Sequence, residues 1–306
     1  MLPISPDTID ASAVLGSLLG AIEVPPITAL QCDALFDAVL AHDEIYLEAE
    51  LPDVLHLDYG PEQFRRGFAL SLGVWDGRVH RPALTRLATK LALGGSFDGA
   101  DTKQFKEIRA RFKQLRFAYL IFDEEHRHAP SLHRVTKMMG HLQDALKHDR
   151  TMAAAARAII LRFLLMPLPF RRIQQGIDRF RPSTRHSFHL YVAAQLLTIR
   201  SFLAKPTVTG KDFHEIRKVA SRMMAFYDVM NTLYPSGYHR LAARFVSTIN
   251  GLMGNMHDGL IERRLNGKQD YHADTFPIPI EIAGRLRQLE RGLAHAYLLA
   301  GRHFDP

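Results

Sequence analysis

The sequence lacks several features that would each point to a class of function. Cys32 is the only cysteine, so the chain can form no internal disulfide, CxxC redox pair or thiolate metal cluster. It contains no Gly-x-x-x-x-Gly-Lys-Ser/Thr loop, Gly-x-Ser-x-Gly elbow or dinucleotide fingerprint, so nucleotide hydrolysis and acyl transfer lack sequence support. Apolar and polar residues nowhere alternate over a sustained stretch, which removes the usual signal for strands.

Positive charge is absent from the first part of the chain. Residues 1–60 contain no Lys or Arg but eleven Asp or Glu, whereas residues 61–306 hold 39 basic and 21 acidic side chains, a net charge of +18. Such a surplus favours a polyanionic partner for the later part. Two roles are open for the tethered acidic segment: it competes with that partner for the same cations, or it packs on the outside of the bundle and balances charge for solubility. Within the segment, three-and-four apolar spacing predicts short helices at 12–22 and 29–41.

Signals for export or membrane insertion are also missing. The N-terminus has no basic region leading into an apolar run, as a secretory signal requires. The most apolar stretch, residues 152–170, is interrupted by Arg157, Arg162, Pro167 and Pro169, which a membrane span would not readily accommodate. These absences predict a cytoplasmic protein without a membrane partner.

A helix with two parallel stripes is predicted between Gln104 and Phe122. Its apolar residues recur every three or four positions, as one buried helix face requires: Phe105, Ile108, Phe112, Leu115, Tyr119 and Phe122. One residue after an apolar position in each case, cations form a second line: Lys106, Arg109, Lys113 and Arg116. Their long stems can pack at the edge of a core while the charged heads remain in water.

The same pattern returns between Phe213 and Met230. Its apolar steps are Phe213, Ile216, Ala220, Met223, Tyr227 and Met230. His214 and Arg217 stand where the first copy has Lys106 and Arg109. The recurrence of both stripes indicates an internal duplication.

A second landmark follows each copy of the striped helix. It is a helix that ends in Gly-x-x-x-Asp, running from Gly140 to Asp144 in the first copy and from Gly254 to Asp258 in the second. Two landmarks in the same order strengthen the case for duplication. We expect both aspartates to be structural partners of half-buried cations.

These patterns predict an all-α protein with two pseudo-symmetric helical-bundle repeats and an extra N-terminal helical segment. The repeats are placed at about 101–205 and 209–301 by the two landmarks. A linker rich in glycine, Gly94 to Gly99, indicates a boundary between an acidic segment, 1–95, and a duplicated bundle, 96–306.

A resemblance to a known family rests on these motifs. A helix reading His-x-x-Arg with further cations, then a helix ending in Gly-x-x-x-Asp, twice over, is similar to the CHAD family of conserved-histidine α-helical domains. The resemblance spans roughly residues 101–300. It implies two four-helix halves with a basic central groove between them that binds inorganic polyphosphate, and it suggests association with polyphosphate granules. The preceding hundred residues are not explained by the family.

The candidate polyphosphate ligands are the cations of the two striped helices and of the helix after the first. They are Lys106, Arg109, Lys113, Arg116, Arg134, Lys137, His214, Arg217, Lys218 and Arg222. Arginine can direct two N–H groups at one phosphate, lysine acts as a point charge, and a protonated histidine is a switchable donor. A row of such groups needs no catalytic residue, metal or cofactor, so we expect a binding protein and not an enzyme.

Two other functions remain open. A metal-dependent phosphohydrolase could use His-Asp pairs, present here as His42-Asp43, His148-Asp149 and His257-Asp258, although that chemistry requires further ligands that converge on the metal. A nucleic-acid-binding protein would use the same cations, because its ligand is also a chain of phosphates. It would normally add exposed aromatic side chains for stacking or a helix-turn-helix.

Overall fold

The computed structural model describes residues 26–301, and this part of the chain is all-α. It contains eleven helices, together with one short antiparallel pairing of β1, Val208–Thr209, with β2, Thr275–Phe276. The predicted fold class is therefore confirmed. The helix predicted at residues 12–22 lies outside the described residues.

Most helices follow one another with short connections, whereas residues 41–60 and 266–279 form longer ones. The first six are α1 Ala29–Leu40, α2 Pro61–Trp75, α3 Gly77–Ala92, α4 Gly99–Phe122, α5 Pro130–Lys147 and α6 Thr151–Leu164. The last five are α7 Pro167–Asp178, α8 Arg185–Leu203, α9 Gly210–Leu233, α10 Gly237–Leu265 and α11 Ile280–Gly301. The two striped helices of the sequence are α4 and α9, and the helices that follow them are α5 and α10.

Polar side chains define where the two striped helices begin. At the start of α4, Asp98 accepts a hydrogen bond from the backbone N–H of Asp101 at 2.8 Å. At the start of α9, Thr209 and Asp212 each accept a backbone N–H from the other, which is a capping box. These caps satisfy N–H groups that the first helical turn leaves without partners.

The described helices form two compact units that are interleaved in sequence. Of the described residues, the first unit comprises 26–36 and Phe64–Pro182, and the second comprises Asp37–Gln63 and 183–301. Helices α2 to α7 thus belong to the first unit and α8 to α11 to the second.

These limits do not coincide with the predicted boundary at residues 95 and 96. Helix α3 precedes the Gly94–Gly99 linker, yet it packs against α4 and α6 in the first unit. Helix α8 falls within the first predicted repeat, 101–205, but lies in the second unit. The two-repeat arrangement itself stays a prediction.

Aromatic side chains fill the core of the first unit. The six apolar residues predicted for the inner face of α4 are all buried: Phe105, Ile108, Phe112, Leu115, Tyr119 and Phe122. Phe68 of α2 stacks on Phe180 with ring centroids 3.7 Å apart. The α2 backbone approaches Phe122 closely at Gly67, where a Cβ would lie 2.8 Å from the ring. Burial of these large side chains is the main favourable contribution to this core.

Helix α9 is the centre of the second unit. Of its predicted apolar face, Phe213, Ile216, Ala220, Tyr227 and Met230 are buried as expected. Met223 is only half-buried, and the neighbouring Met224 is buried completely instead. Because α9 packs against both α8 and α10, its buried surface is wider than a single seam.

No single helix among residues 26–301 is both long and apolar enough to cross a membrane. Helices α6 and α7 reach the necessary length and composition only when they are counted together, and the chain bends by 63° between them. The bend lies where Pro167 begins α7, since proline is tolerated in a first helical turn but not within a helix.

Candidate functional site

The cations of α4 keep their predicted line beside the buried face. Lys106 is exposed, whereas Arg109, Lys113 and Arg116 are half-buried. The Lys113 amine and the Arg116 guanidinium carbon lie 5.3 Å and 5.2 Å from the centre of the Phe117 ring. Both are within range of a cation–π interaction, which helps to hold the stems on the core edge.

Arg109 reaches from α4 onto α5. A Cβ at Gly140 of α5 would lie 3.5 Å from Nη2 of Arg109, so the guanidinium lies across this glycine. Arg134 and Lys137 are exposed on the same helix and precede Gly140 by six and three residues. Because residues three or four apart share a helix face, Lys137 neighbours the place where Arg109 contacts α5.

Arg217 repeats this contact in the second unit, between α9 and α10. A Cβ at Gly254 would lie 3.0 Å from Nη2 of Arg217, which makes the approach closer than at Gly140. The Arg217 side chain is 22% exposed, and its Nε is buried without a hydrogen-bond partner. An anionic oxygen could contact the exposed part of this guanidinium, although not the buried Nε itself.

His214 and His257 lie beside Arg217 with their ring centroids 5.0 Å apart. Burial lowers the pKa of His214, and the charges of Lys218 and Arg217 lower it further. Burial, followed by the charges of Arg217 and His214, lowers the pKa of His257 to about 4. Both rings are consequently neutral at pH 7 in the free protein, within a local potential that is positive.

The other two predicted ligands on α9 already have protein partners. The Lys218 amine lies 2.6 Å from Oε1 of Glu215, in a pair of exposed side chains that contributes little to stability. Nη2 of Arg222 donates to Oε1 of Gln195 at 2.7 Å and thereby connects α9 to α8. Its Nε is buried without a hydrogen-bond partner.

An acidic residue that the sequence motifs do not place in the site lies next to Arg217. Oδ1 of Asp43 is 3.6 Å from Nη2 of Arg217, slightly longer than a hydrogen bond. Asn250 of α10 fixes this position by donating to Oδ1 of Asp43 at 2.9 Å and to the His42 carbonyl at 3.0 Å. A Cβ at Gly251 would lie 2.5 Å from the Asp43 carbonyl oxygen, so the segment rests directly on the α10 backbone.

The aspartates of the two Gly-x-x-x-Asp motifs are both exposed. Asp144 lies at the surface of α5, and Asp258 is 61% exposed with Oδ1 3.9 Å from Nδ1 of His257. The carboxylate beside Arg217 is that of Asp43. The structural role that we expected for the motif aspartates stays a prediction.

The three His-Asp pairs occupy different environments. Nε2 of His42 lies 2.9 Å from Oδ2 of Asp228, whereas Asp149 has a φ of 51° in the turn before α6. Nε2 of His257 is 3.1 Å from the Tyr271 hydroxyl. In the described range 26–301, no three His, Cys, Asp or Glu side chains are grouped closely enough to hold a metal ion. The phosphohydrolase alternative stays a prediction.

Gly140 and Gly254, which contact Arg109 and Arg217, predict a measurable difference in stability between their alanine variants. Alanine favours a helix over glycine by about 1 kcal/mol, and at Gly140 the new methyl meets Arg109 only at ordinary contact distance. Gly140→Ala should therefore raise the free energy of unfolding by about 0.5–1 kcal/mol. Gly254→Ala should raise the free energy of unfolding less or not at all, because the new methyl group must push the Arg217 side chain aside. Urea unfolding of both variants checks this, and an equal gain would contradict the closer packing at Gly254.

Comparisons with known proteins found no match for this arrangement. In each unit an arginine of the striped helix lies across a glycine of the next helix. No protein-family model matches the chain, and no similar curated protein or solved structure was found. The assignment to the CHAD family stays a prediction from the sequence motifs.

Proposed function

We propose that the protein binds inorganic polyphosphate, or a linear polyanion of similar charge density, through the basic stripes of α4 and α9 and without catalysing a reaction. The observation that carries this proposal is the state of Arg217. Its side chain is 22% exposed beside Gly254 of α10, and it lies next to two histidines whose pKa is lowered first by burial and then by the neighbouring positive charges. Anionic oxygens would pair with the exposed part of this guanidinium and offset the positive potential at the two histidines.

The rigid mounting of these cations supports a polymeric ligand. Arg109 and Arg217 each lie across a glycine of a packed neighbouring helix, which restricts the side chains before any ligand arrives. Less conformational entropy is then lost on binding, so each contact contributes more to affinity. A polyphosphate chain presents identical anionic groups along its length, which suits a line of cations spaced by helical turns.

Polyphosphate is favoured over nucleic acid by the location of the aromatic side chains. Phe105, Phe112, Phe213 and Tyr227 of the striped helices are buried in the cores, so they offer no platform on which bases could stack. A ligand without bases requires none. The deciding experiment is a calorimetric titration with long-chain polyphosphate and with random-sequence RNA and DNA at matched salt. Tighter binding of polyphosphate is expected, and a preference for either nucleic acid would contradict the proposal.

Removing the charge of Asp43, whose carboxylate lies beside Arg217, should strengthen polyphosphate binding. Asp43→Asn keeps the oxygen that accepts from Asn250 but removes the negative charge beside Arg217. Since an ion pair with an exposed carboxylate contributes at most about 1 kcal/mol, affinity should rise by up to about fivefold. The gain should shrink with added salt, because salt screens both attractions. Titration at several salt concentrations measures it.

A matched variant separates this contact from a general effect of charge. Asp53→Asn removes the same charge from an exposed position of the same acidic segment. We expect its affinity to match that of the parent protein. Equal gains in the two variants would show that net charge, and not the carboxylate beside Arg217, controls binding.

A further inference from the structure

Helix α6 is apolar on its exposed face as well as on its buried one. Ala154, Ala158 and Leu161 are buried in the first unit. The opposite face and the turn into α7 expose six large hydrophobic side chains, each by 46–85%: Met152, Ile159, Ile160, Phe163, Met166 and Leu168. We call this set the α6–α7 patch. A surface helix normally has a polar outer face, so the patch indicates a contact surface.

The charge around the patch is predominantly positive. Residues 150–182 contain seven arginines and one acidic residue, Asp178, which gives a net charge of +6. Arg162, Arg171 and Arg172 are exposed on the same two helices. Protruding apolar side chains with surrounding arginines are typical of helices that lie in the interface of an anionic bilayer.

Two other occupants fit this surface less well. A second copy of the chain, related by a two-fold axis, would bring the +6 region against itself, and like charges would oppose the contact. A protein partner that inserts a helix requires a groove, whose walls cover the side chains that line it. Met152 and Leu168 are instead 85% and 79% exposed, so they protrude.

The geometry points to the α6–α7 patch as a site that docks the protein on the surface of an anionic lipid membrane. Phe163, Met166 and Leu168 enter the apolar layer below the headgroups, while Arg162, Arg171 and Arg172 contact the lipid phosphates. The contact is peripheral and requires no spanning segment. It departs from the expectation that the protein has no membrane partner, and it is independent of the polyphosphate proposal.

Vesicle flotation tests the apolar part of the contact. The probes are vesicles of phosphatidylcholine alone and of phosphatidylcholine with phosphatidylglycerol, and the parent protein should bind mainly the latter. The double variant Phe163→Ser/Leu168→Ser should bind roughly tenfold to a hundredfold more weakly, because two large apolar side chains no longer leave water. Val79→Ser/Leu93→Ser is the control, since Val79 and Leu93 have the same exposures of 61% and 79%.

A second set of variants tests the charges. Replacing Arg162, Arg171 and Arg172 with Gln should weaken binding to the anionic vesicles by roughly a hundredfold at low salt. Replacing the exposed Arg240, Arg287 and Arg291 removes equal charge elsewhere and should have little effect. The tryptophan fluorescence of a Phe163→Trp variant should shift to the blue when vesicles are added. The other tryptophan, Trp75, is buried and should contribute a constant signal.

Four results would overturn the inference. One is failure of the parent protein to bind phosphatidylglycerol vesicles, and another is equal binding by the patch and control variants. The third is loss of vesicle binding when Arg109, Lys113, Arg116 and Arg217 are replaced with Gln, because the headgroups would then be held by the proposed polyphosphate site. Concentration-dependent dimers that Leu168→Ser abolishes would likewise assign the patch to a second copy.

Discussion

Replacing Arg109, Lys113, Arg116 and Arg217 together with Gln is expected to weaken polyphosphate binding by several kcal/mol. Each of these cations displaces counterions when it contacts a phosphate, as on nucleic acids, so the slope of log affinity against log salt should flatten by up to about four units. The fold should survive, because the apolar faces of α4 and α9 are unchanged. Filter binding across a salt series, with circular dichroism as the check of fold, measures both effects.

The control for this variant removes the same charge from other places. Arg240, Lys268, Arg287 and Arg291 are exposed and lie outside the stripes. Their replacement with Gln should leave most of the affinity and only a small change in salt dependence. If the stripe variant stays folded and binds as tightly as this control, the polyphosphate site lies elsewhere.

Acid should destabilise the second unit through His257. The pKa of this histidine is about 4 in the folded protein and about 6.5 in an unfolded chain, so the unfolded state binds the extra proton between these values. The contribution of neutral His257 to stability should thus be fully present above pH 6.5. The free energy of unfolding should fall by up to about 3 kcal/mol as the pH drops to 4. Urea unfolding at pH 7 and pH 4.5 measures this loss.

Two variants test whether the loss of stability in acid arises from His257. His257→Gln retains a polar group opposite the Tyr271 hydroxyl and should lose less stability over the same pH range than the parent. His186→Gln, at an exposed position, should behave as the parent does. Polyphosphate should also reduce the acid loss, because a bound anion raises the pKa of the nearby histidines. An unchanged pH dependence in His257→Gln would show that other groups titrate.

Local periodicity was sufficient to predict the helices and their buried faces. The steps from Phe105 to Phe122 depend only on the rotation of an α-helix, and all six residues are buried. The prediction failed at Met223, because α9 contacts two helices and not one. Packing partners of a helix are a tertiary property that a single periodic stripe does not contain.

Contacts between distant parts of the sequence were not predictable in this way. Asp43 stands in an acidic segment and in the His42-Asp43 pair, and neither pattern indicates that Asn250 holds its carboxylate beside Arg217. The only local signal was the spacing of Gly251 and Gly254, which leaves one face of α10 bare. Likewise, the glycine-rich linker before α4 predicted a boundary, although the helices on its two sides pack together.

The interleaving of the two units has a consequence for how the chain is made. The hydrogen bond between the His42 carbonyl and Asn250 joins residues 208 positions apart, whereas everything that the first unit requires has been synthesised once Pro182 is complete. At ribosomal speeds, residues 37–63 wait on the order of ten seconds for α10. During that interval buried residues such as Tyr59, whose hydroxyl lies 3.1 Å from Nε2 of His239 in α10, lack part of their native contacts, which makes this segment a natural point for chaperone contact.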